Sequence, residues 1–377
     1  MTADGQTIFS AEDYAWMARA LSVAEGGRRI SSPNPSVGCV VVKGGRLMGQ
    51  GHSQEAGEAH AEVMALRDAV SRGESCRGAT AYVTLEPCSH FGRTPPCANA
   101  LIEAGIARVV AAMIDPHGKV AGKGVQMLRD AGIQVDVGLM QAEARESLRG
   151  FLSRIERSRP WLRLKIAASL DGKVALANGE SQWITGPAAR ADVQRLRARS
   201  CAMITGSGTV LMDDPLLTVR EVDGQPWTHP RQPLRVVLDS RAQMPPTAKM
   251  LSAPGATLVI VANAPAAHCK VLESAGAEVL ALPDAQGRVD LPSLLGALAQ
   301  RGINEATVES GARLNGAWLA SGLVDEIILY QAPVLLGNAA QGLAEFSLER
   351  LADKFAPRVI DVRQVGADMR YTLRFTN

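Results

Sequence analysis

Two cysteines, Cys88 and Cys97, lie in the stretch "TLEPCSHFGRTPPCANAL", residues 84–101, which is rich in proline and also carries His90. The strand pattern "ATAYVTL" precedes this loop and the helix pattern "ANALIEAG" follows it. Junctions of that kind carry chemistry more often than packing. Paired thiols suit a metal, and a metal needs a third donor nearby. The segment "EAHAEVMALRDAV", residues 58–70, offers His60 and, two positions on, Glu62. Val63, Leu66 and Val70 recur at helical spacing, which sets His60 and Glu62 at a helix entrance. Residues two apart on a regular helix point apart, so a shared task requires His60 to precede the regular turns.

The order His60-x-Glu62, then Pro87-Cys88, then Cys97, resembles the signature of zinc-dependent base deaminases, in which His and two Cys hold the metal and the Glu handles protons. That signature usually spaces its cysteines by two residues; eight separate them here. The longer loop "LEPCSHFGRTPPC", with "PNPSVGCVVV" at residues 33–42, is similar to the deaminase half of the bifunctional deaminase-reductases of riboflavin biosynthesis. The resemblance implies zinc held by His60, Cys88 and Cys97, with Glu62 as the catalytic acid-base group. Three protein ligands leave one tetrahedral position for water. Two thiolates cancel the ion's charge and weaken it as a Lewis acid, which makes a neighbouring proton acceptor more necessary. The alternative is a closed structural site with His90 as fourth ligand, which spacing alone leaves open. Asn34, in a Pro-Asn-Pro turn, and His52, in "GQGHSQEAGEAH", are substrate-contact candidates; turn chemistry and loop polarity are their bland readings. The family pattern Asp-Pro-Asn-Pro has His117 and Gly118 in its place in "DPHGKVAGKG", residues 115–124, so no role attaches there.

Elements must position these groups, and composition bounds them. A chain of 377 residues exceeds the soft prior of about 150 per domain, so two domains are expected. Hydrophobic residues at 46% and charged residues at 21% describe a globular chain with sizeable cores. The net charge of +2, without a long Lys/Arg run, and aromatics at only 4% argue against a nucleic-acid-editing deaminase with a basic, aromatic-bearing channel. "MTADGQTIFSAEDY" lacks the features of a secretory leader and no apolar run reaches the roughly 18 residues of a membrane span, so a cytoplasmic enzyme is expected. Six cysteines without a secretory signal read as reduced thiols, and Cys39, Cys76, Cys201 and Cys269 as core filler.

Residues 11–25 read as a helix, 37–43 and 46–51 as strands joined by a Gly-Gly turn, followed by alternating helices and strands and a last helix near 141–156. This alternation implies an α/β layered domain. The charged, proline-bearing "ERSRPW", residues 156–161, marks the boundary between domains 1–157 and 158–377. Strand patterns follow at "WLRLKIAAS", "CAMITG", "LRVVLDS", "TLVIVANA", "EVLAL", "EATVES" and "DEIILYQAPVLL", with a final antiparallel pair near 358–375. The dinucleotide fingerprint GxGxxG is absent from "TGSGTVL". In "VESGARLNGAWLASG" a strand ends at Glu309, Gly311 admits a ligand to the backbone, and a helix starts whose exposed amides attract phosphate; a routine strand-to-helix turn fits equally.

The motifs "LKIAASLDGKVA", "GESQWITG", "VQRLRA", "GTVLMDDPLLTVR" and "VESGARLNGAWL" resemble, in order, the reductase half of the same family, a domain similar to dihydrofolate reductase. The resemblance then spans nearly the whole chain. It implies substrate contacts from Ser181, Arg197, Leu217, Arg220 and Glu309, the arginines serving a ribose phosphate. It implies NADPH contacts from Ala167, Trp183, Thr209, Asp213, Ser240 and the run Gly311, Ala312, Arg313, Leu314. Trp183 as a core residue and Arg197 on a solvated helix face are the corresponding bland readings. A small phosphoribosyl pyrimidine, Zn2+ and NADPH are thus the expected ligands, and a homo-oligomer, dimer or tetramer, the expected state. A zinc-stabilised module without turnover is the rival class.

Overall fold

The computed structural model describes residues 8–91, 95–118 and 121–375; residues 92–94 of the cysteine loop and 119–120 of the stretch 115–124 lie outside the described residues. The chain divides into two compact units, Met1–Ser158 and Arg159–Asn377. Among the described residues no helix is long and apolar enough to cross a membrane.

The first unit runs α1 (Ala11–Ala24), β1 (Gly38–Lys43), β2 (Arg46–His52), α2 (Ala61–Ser71), β3 (Thr80–Val83), α3 (Cys97–Glu103), β4 (Arg108–Ala111), α4 (Lys123–Asp130), β5 (Gln134–Val137), α5 (Gln141–Ser147) and α6 (Arg149–Arg157). Its sheet has the order β2-β1-β3-β4-β5, with β1 antiparallel to both neighbours and β3, β4 and β5 mutually parallel. Because the parallel strands are joined by crossovers, their carboxyl ends share one edge, and the loops that follow β3 and β4 meet there. Cys39, Val40, Val41, Ala81, Val83, Val109 and Val110 are fully buried, as befits strands covered on both faces. Two glycines on β2 let α2 sit close: a Cβ on Gly49 would stand 2.2 Å from the Ala65 carbonyl oxygen, and one on Gly51 2.5 Å from the Ala65 nitrogen.

The amino edge of the sheet is clamped by charge. Asp13, capped reciprocally with Ser10 at the start of α1, accepts from the Tyr82 hydroxyl at 2.9 Å and from Arg108 Nη1 at 2.6 Å, while Arg108 Nε reaches Asp136 at 2.7 Å. The expected single helix over 141–156 is two helices. Leu148 leaves helical geometry (φ −95°, ψ 7°) and is buried between α5 and α6 in the chain.

The second unit continues β6 (Trp161–Ser169), β7 (Lys173–Ala175), α7 (Pro187–Arg199), β8 (Ala202–Gly206), α8 (Ser207–Asp213), β9 (Glu221–Val222), β10 (Gln225–Pro226), β11 (Leu234–Leu238), α9 (Lys249–Ser252), β12 (Thr257–Val261), α10 (Ala266–Ser274), β13 (Glu278–Ala281), α11 (Leu291–Gln300), β14 (Glu305–Glu309), α12 (Ala312–Ala320), β15 (Glu326–Ala332), β16 (Gln341–Gly342), β17 (Arg358–Val365) and β18 (Asp368–Arg374). Nine strands form one sheet in the order β13-β12-β11-β8-β14-β6-β15-β18-β17. The first seven in that order are parallel, and β18 and β17 are antiparallel additions. The seven carboxyl ends share one edge, and those of β6, β8, β11 and β14 border a crevice there, the usual place for a ligand in an open α/β sheet.

Candidate active sites

His60 is the N-cap of α2, with extended backbone (φ −78°, ψ 170°), and Glu62 is the second helical residue. That break is what lets two positions of unlike helical phase face one site. Cys88 follows β3, and Cys97 is the first residue of α3. Cys97 Sγ lies 3.3 Å from His60 Nδ1 and Cys88 Sγ lies 3.6 Å from the same nitrogen. The loop is closed by main chain: the Ala98 amide donates to the Cys88 carbonyl and the Cys97 amide to Cys88 Sγ.

All three donor atoms lie within 4.8 Å of one another. Zinc bonds of about 2.0–2.3 Å give tetrahedral edges of about 3.3–3.8 Å, so the observed spacing fits that ion, as does a donor set of two thiols and one imidazole. The protonation of the cluster agrees. The hydrogen bond from Cys97, and then His60, pull the Cys88 thiol down to about 4, while that same contact and burial push Cys97 far up. One thiolate forms readily and the second is opposed by the first; a divalent cation removes that opposition. Glu62, only 3% exposed, is pushed up to about 7 by burial and by the Cys88 thiolate, against the pull of His60. A carboxyl so placed exchanges protons near neutral pH.

His90 is exposed and does not join the donor cluster among the described residues, so the closed four-ligand alternative lacks its fourth group. Asn34 is half-buried beside Pro33, its amide N–H donating to the Ser31 carbonyl. His52 ends β2, where its ring covers Gly26 and takes contacts from Gln54 and the Ser53 carbonyl. Neither is brought into the donor cluster. Cys39, Cys76 and Cys201 are buried as fillers, and Cys269 is half-buried against apolar neighbours.

In the second unit a cavity of about 1580 Å³ opens at the carboxyl ends of β6, β8, β11 and β14. Ala167, Ser181, Trp183, Arg197, Thr209, Asp213, Leu217, Arg220, Ser240, Glu309 and Gly311 to Leu314 all line it. Trp183 is 69% exposed, which removes the core reading, and the Arg190 guanidinium stacks 4.7 Å from its ring. Leu217 is buried in the wall of the cavity, with φ 51°. Ser181 donates to Asp213 at 3.4 Å, so a residue expected at the substrate and one expected at the cofactor adjoin. Gly311 is the N-cap of α12, whose first amides therefore have no side-chain cap of their own.

Arg197 is not on a solvated face. Its Nε and Nη2 each donate to Glu309 at 2.9 Å, and Nη1 to the Thr218 carbonyl. The fork of Arg197 thus pairs with the Glu309 carboxylate, while Arg220, which also lines the cleft, makes no side-chain hydrogen bond among the described residues. Burial opposes ionisation of Glu309, yet Arg197, Lys165 and Arg220 hold it down to about 2. Burial lowers Lys165, and Glu309 is the chief influence keeping it charged. Lys165 shares the otherwise apolar strand "LRLKIAAS" with Arg163 and was not among the contacts expected from sequence.

Comparison with known proteins matches both units. The family model "Cytidine and deoxycytidylate deaminase zinc-binding region" matches residues 10–113, and "RibD C-terminal domain" matches residues 160–367. The riboflavin biosynthesis protein RibD of Escherichia coli is 49% identical over 95% of this chain and 98% of its own length, and that of Haemophilus influenzae is 44% identical over 97% and 98%. The solved Acinetobacter baumannii RibD superposes with a TM-score of 0.89 at 44% identity, covering 97% of this chain and 99% of that one. A Thermotoga maritima diaminohydroxyphosphoribosylaminopyrimidine deaminase/5-amino-6-(5-phosphoribosylamino)uracil reductase does so with 0.84 at 32% identity, covering 96% and 98%. With a zinc-type donor cluster in one unit, a ligand-sized cleft in the other and matches along almost all of its length, the chain belongs to the RibD family of bifunctional riboflavin-biosynthesis proteins.

Proposed function

We propose that His60, Cys88 and Cys97 hold the zinc, that Glu62 moves the protons of deamination, and that Glu309, Ser181 and Arg220 receive the substrate of reduction. The chain is a bifunctional enzyme, a zinc-dependent deaminase and an NADPH-dependent reductase of riboflavin biosynthesis. It replaces the exocyclic amine of a phosphoribosylated diaminopyrimidinone with oxygen, then reduces the ribosyl group of the resulting aminouracil to ribityl.

Bound zinc supplies a Lewis acid that makes water nucleophilic near neutral pH. The Glu62 carboxylate takes one proton from the attacking water and gives it to the ring nitrogen, then carries the second, from the hydroxyl left on the carbon, to the amine, which leaves as ammonia as the carbonyl forms. His60, at its N-cap position, and the two loop cysteines would hold the ion beside that carboxylate. In the other unit NADPH supplies the hydride. There the Trp183 ring and the uncapped amides of α12 suit the cofactor, with Ala167, Thr209, Asp213 and Ser240 alongside, while Arg220 suits the ribose phosphate as a charge-assisted donor.

The observation that carries the deaminase reading is the buried Glu62 carboxyl beside a three-donor cluster, since a structural metal site has no use for it. Replacing Glu62 by Gln should keep zinc bound and reduce ammonia release by about 10²–10⁴-fold. Unchanged ammonia release would sink the assignment. We also read the chain as a cytoplasmic homo-oligomer, dimer or tetramer. Reduced thiols used as ligands suit a reducing compartment. The edge strand β17 leaves Val359, Ile360 and Val362 exposed, a face that association would cover. Sedimentation of the full chain tests it; a monomer at micromolar concentration would refute it.

A further inference from the structure

We infer that Glu86 is a positioning residue of the deaminase site, tying the cysteine loop to the segment that follows β4. It rests on the reading of His60, Cys88 and Cys97 as that site. Glu86 stands two residues before Cys88 and is 4% exposed. Its side chain accepts four main-chain N–H groups from one neighbouring segment. Oε2 takes Asp115 at 3.1 Å and Gly122 at 2.9 Å; Oε1 takes Gly124 at 2.9 Å and Val125 at 3.1 Å. Its own amide donates to the Met113 carbonyl.

Gly122, Gly124 and Val125 are the N-cap, second and third residues of α4, a helix with no side-chain cap of its own. The carboxylate of another loop therefore caps it, where the helix dipole favours negative charge. The fit is close: a Cβ on Gly124 would stand 1.9 Å from the Pro87 carbonyl oxygen. The start of α4 thus abuts the main chain next to Cys88. From the other side Cys88 is held by the amides of Cys97 and Ala98. His90 of the cysteine loop is near enough to Asp115 to act on it electrostatically, so the two segments face each other. Glu86 accordingly sets where Cys88 sits relative to the wall made by residues after β4, and does so without touching the donors.

The test uses the full-length chain carrying Glu86→Gln. The amide keeps the shape but turns its NH2 group against two of the four N–H donors. Zinc per chain, ammonia release from the diaminopyrimidinone ribotide, and NADPH oxidation with the aminouracil ribotide are measured together. Zinc should stay near one per chain and NADPH oxidation should match the parent. Ammonia release per bound zinc should fall about tenfold in kcat/KM, with KM raised. Unchanged kcat and KM per zinc-loaded molecule, whether or not zinc occupancy falls, would make the contact purely a fold-holding one and overturn the inference. Gly124→Ala, which pushes α4 from Pro87 while leaving the carboxylate, should raise KM in the same way and decides the matter if Glu86→Gln fails to fold. Absence of ammonia release from the parent chain would instead overturn the deaminase reading beneath it.

Discussion

Replacing Glu309 by Gln removes one negative charge from a cleft that holds Arg197, Lys165 and Arg220. The carboxyl is held from its ordinary 4.5 down to about 2. At about 1.36 kcal/mol for each tenfold in acidity, that displacement corresponds to about 3 kcal/mol of folding stability at neutral pH. Removing one partner of a buried ion pair costs about 3–5 kcal/mol, a range that meets the same figure. The sign follows from the depressed value: the contribution is complete above pH 4.5 and is lost as pH falls through 2, with about half gone by pH 3. The assay is urea unfolding of the parent and Glu309→Gln chains at pH 7 and pH 3, followed by tryptophan fluorescence. Trp161, Trp183, Trp227 and Trp318, four of the five tryptophans, lie in the second unit, so the signal reports chiefly on it. Loss of the proton from Lys165 would relieve part of the strain, making about 3 kcal/mol an upper figure. A difference below about 1 kcal/mol at pH 7, or one that does not shrink at pH 3, would refute the view that Glu309 is a paired carboxylate neutralising this cleft.

Chelation of zinc should abolish ammonia release while NADPH oxidation on the aminouracil ribotide persists; loss of both together would deny that the two sites are chemically separate. Asp13→Asn should destabilise the first unit by about 2 kcal/mol at pH 7, because burial opposes ionisation of that carboxyl but Arg108, Ser10 and Tyr82 outweigh it and hold it at about 2. The Asp13 contribution is complete above 3.8 and declines as pH falls through 2, so parent and variant unfolding curves should converge in acid. Trp183→Leu should raise KM for NADPH by up to about tenfold, the worth of one aromatic stacking contact, with zinc content unchanged. An unaltered KM would return Trp183 to a surface role.

Much of the site was legible because its signals are local. A histidine and a glutamate two apart at a helix start, and two cysteines in a strand-to-helix loop, bring their own constraints on backbone and charge. The domain break at "ERSRPW" and the runs of apolar strands are local in the same sense. Helix continuity over 141–156 was less so, since Leu148 breaks it to bury a side chain against residues far away in sequence.

What the amino-acid order determined by itself is which groups are available: thiols, an imidazole, an acid and a set of strand patterns ending in small residues. Tertiary structure alone decided which of them meet. Arg197 finds Glu309 across 112 positions, so an arginine expected at a ribose phosphate is also half of a buried pair. Glu86 finds the start of α4 from 38 positions away. Lys165 becomes the neighbour of that same Glu309. The physical reason is that a parallel sheet gathers the carboxyl ends of strands distant in the chain, and the energy of a charge depends on what it faces there rather than on its neighbours in sequence.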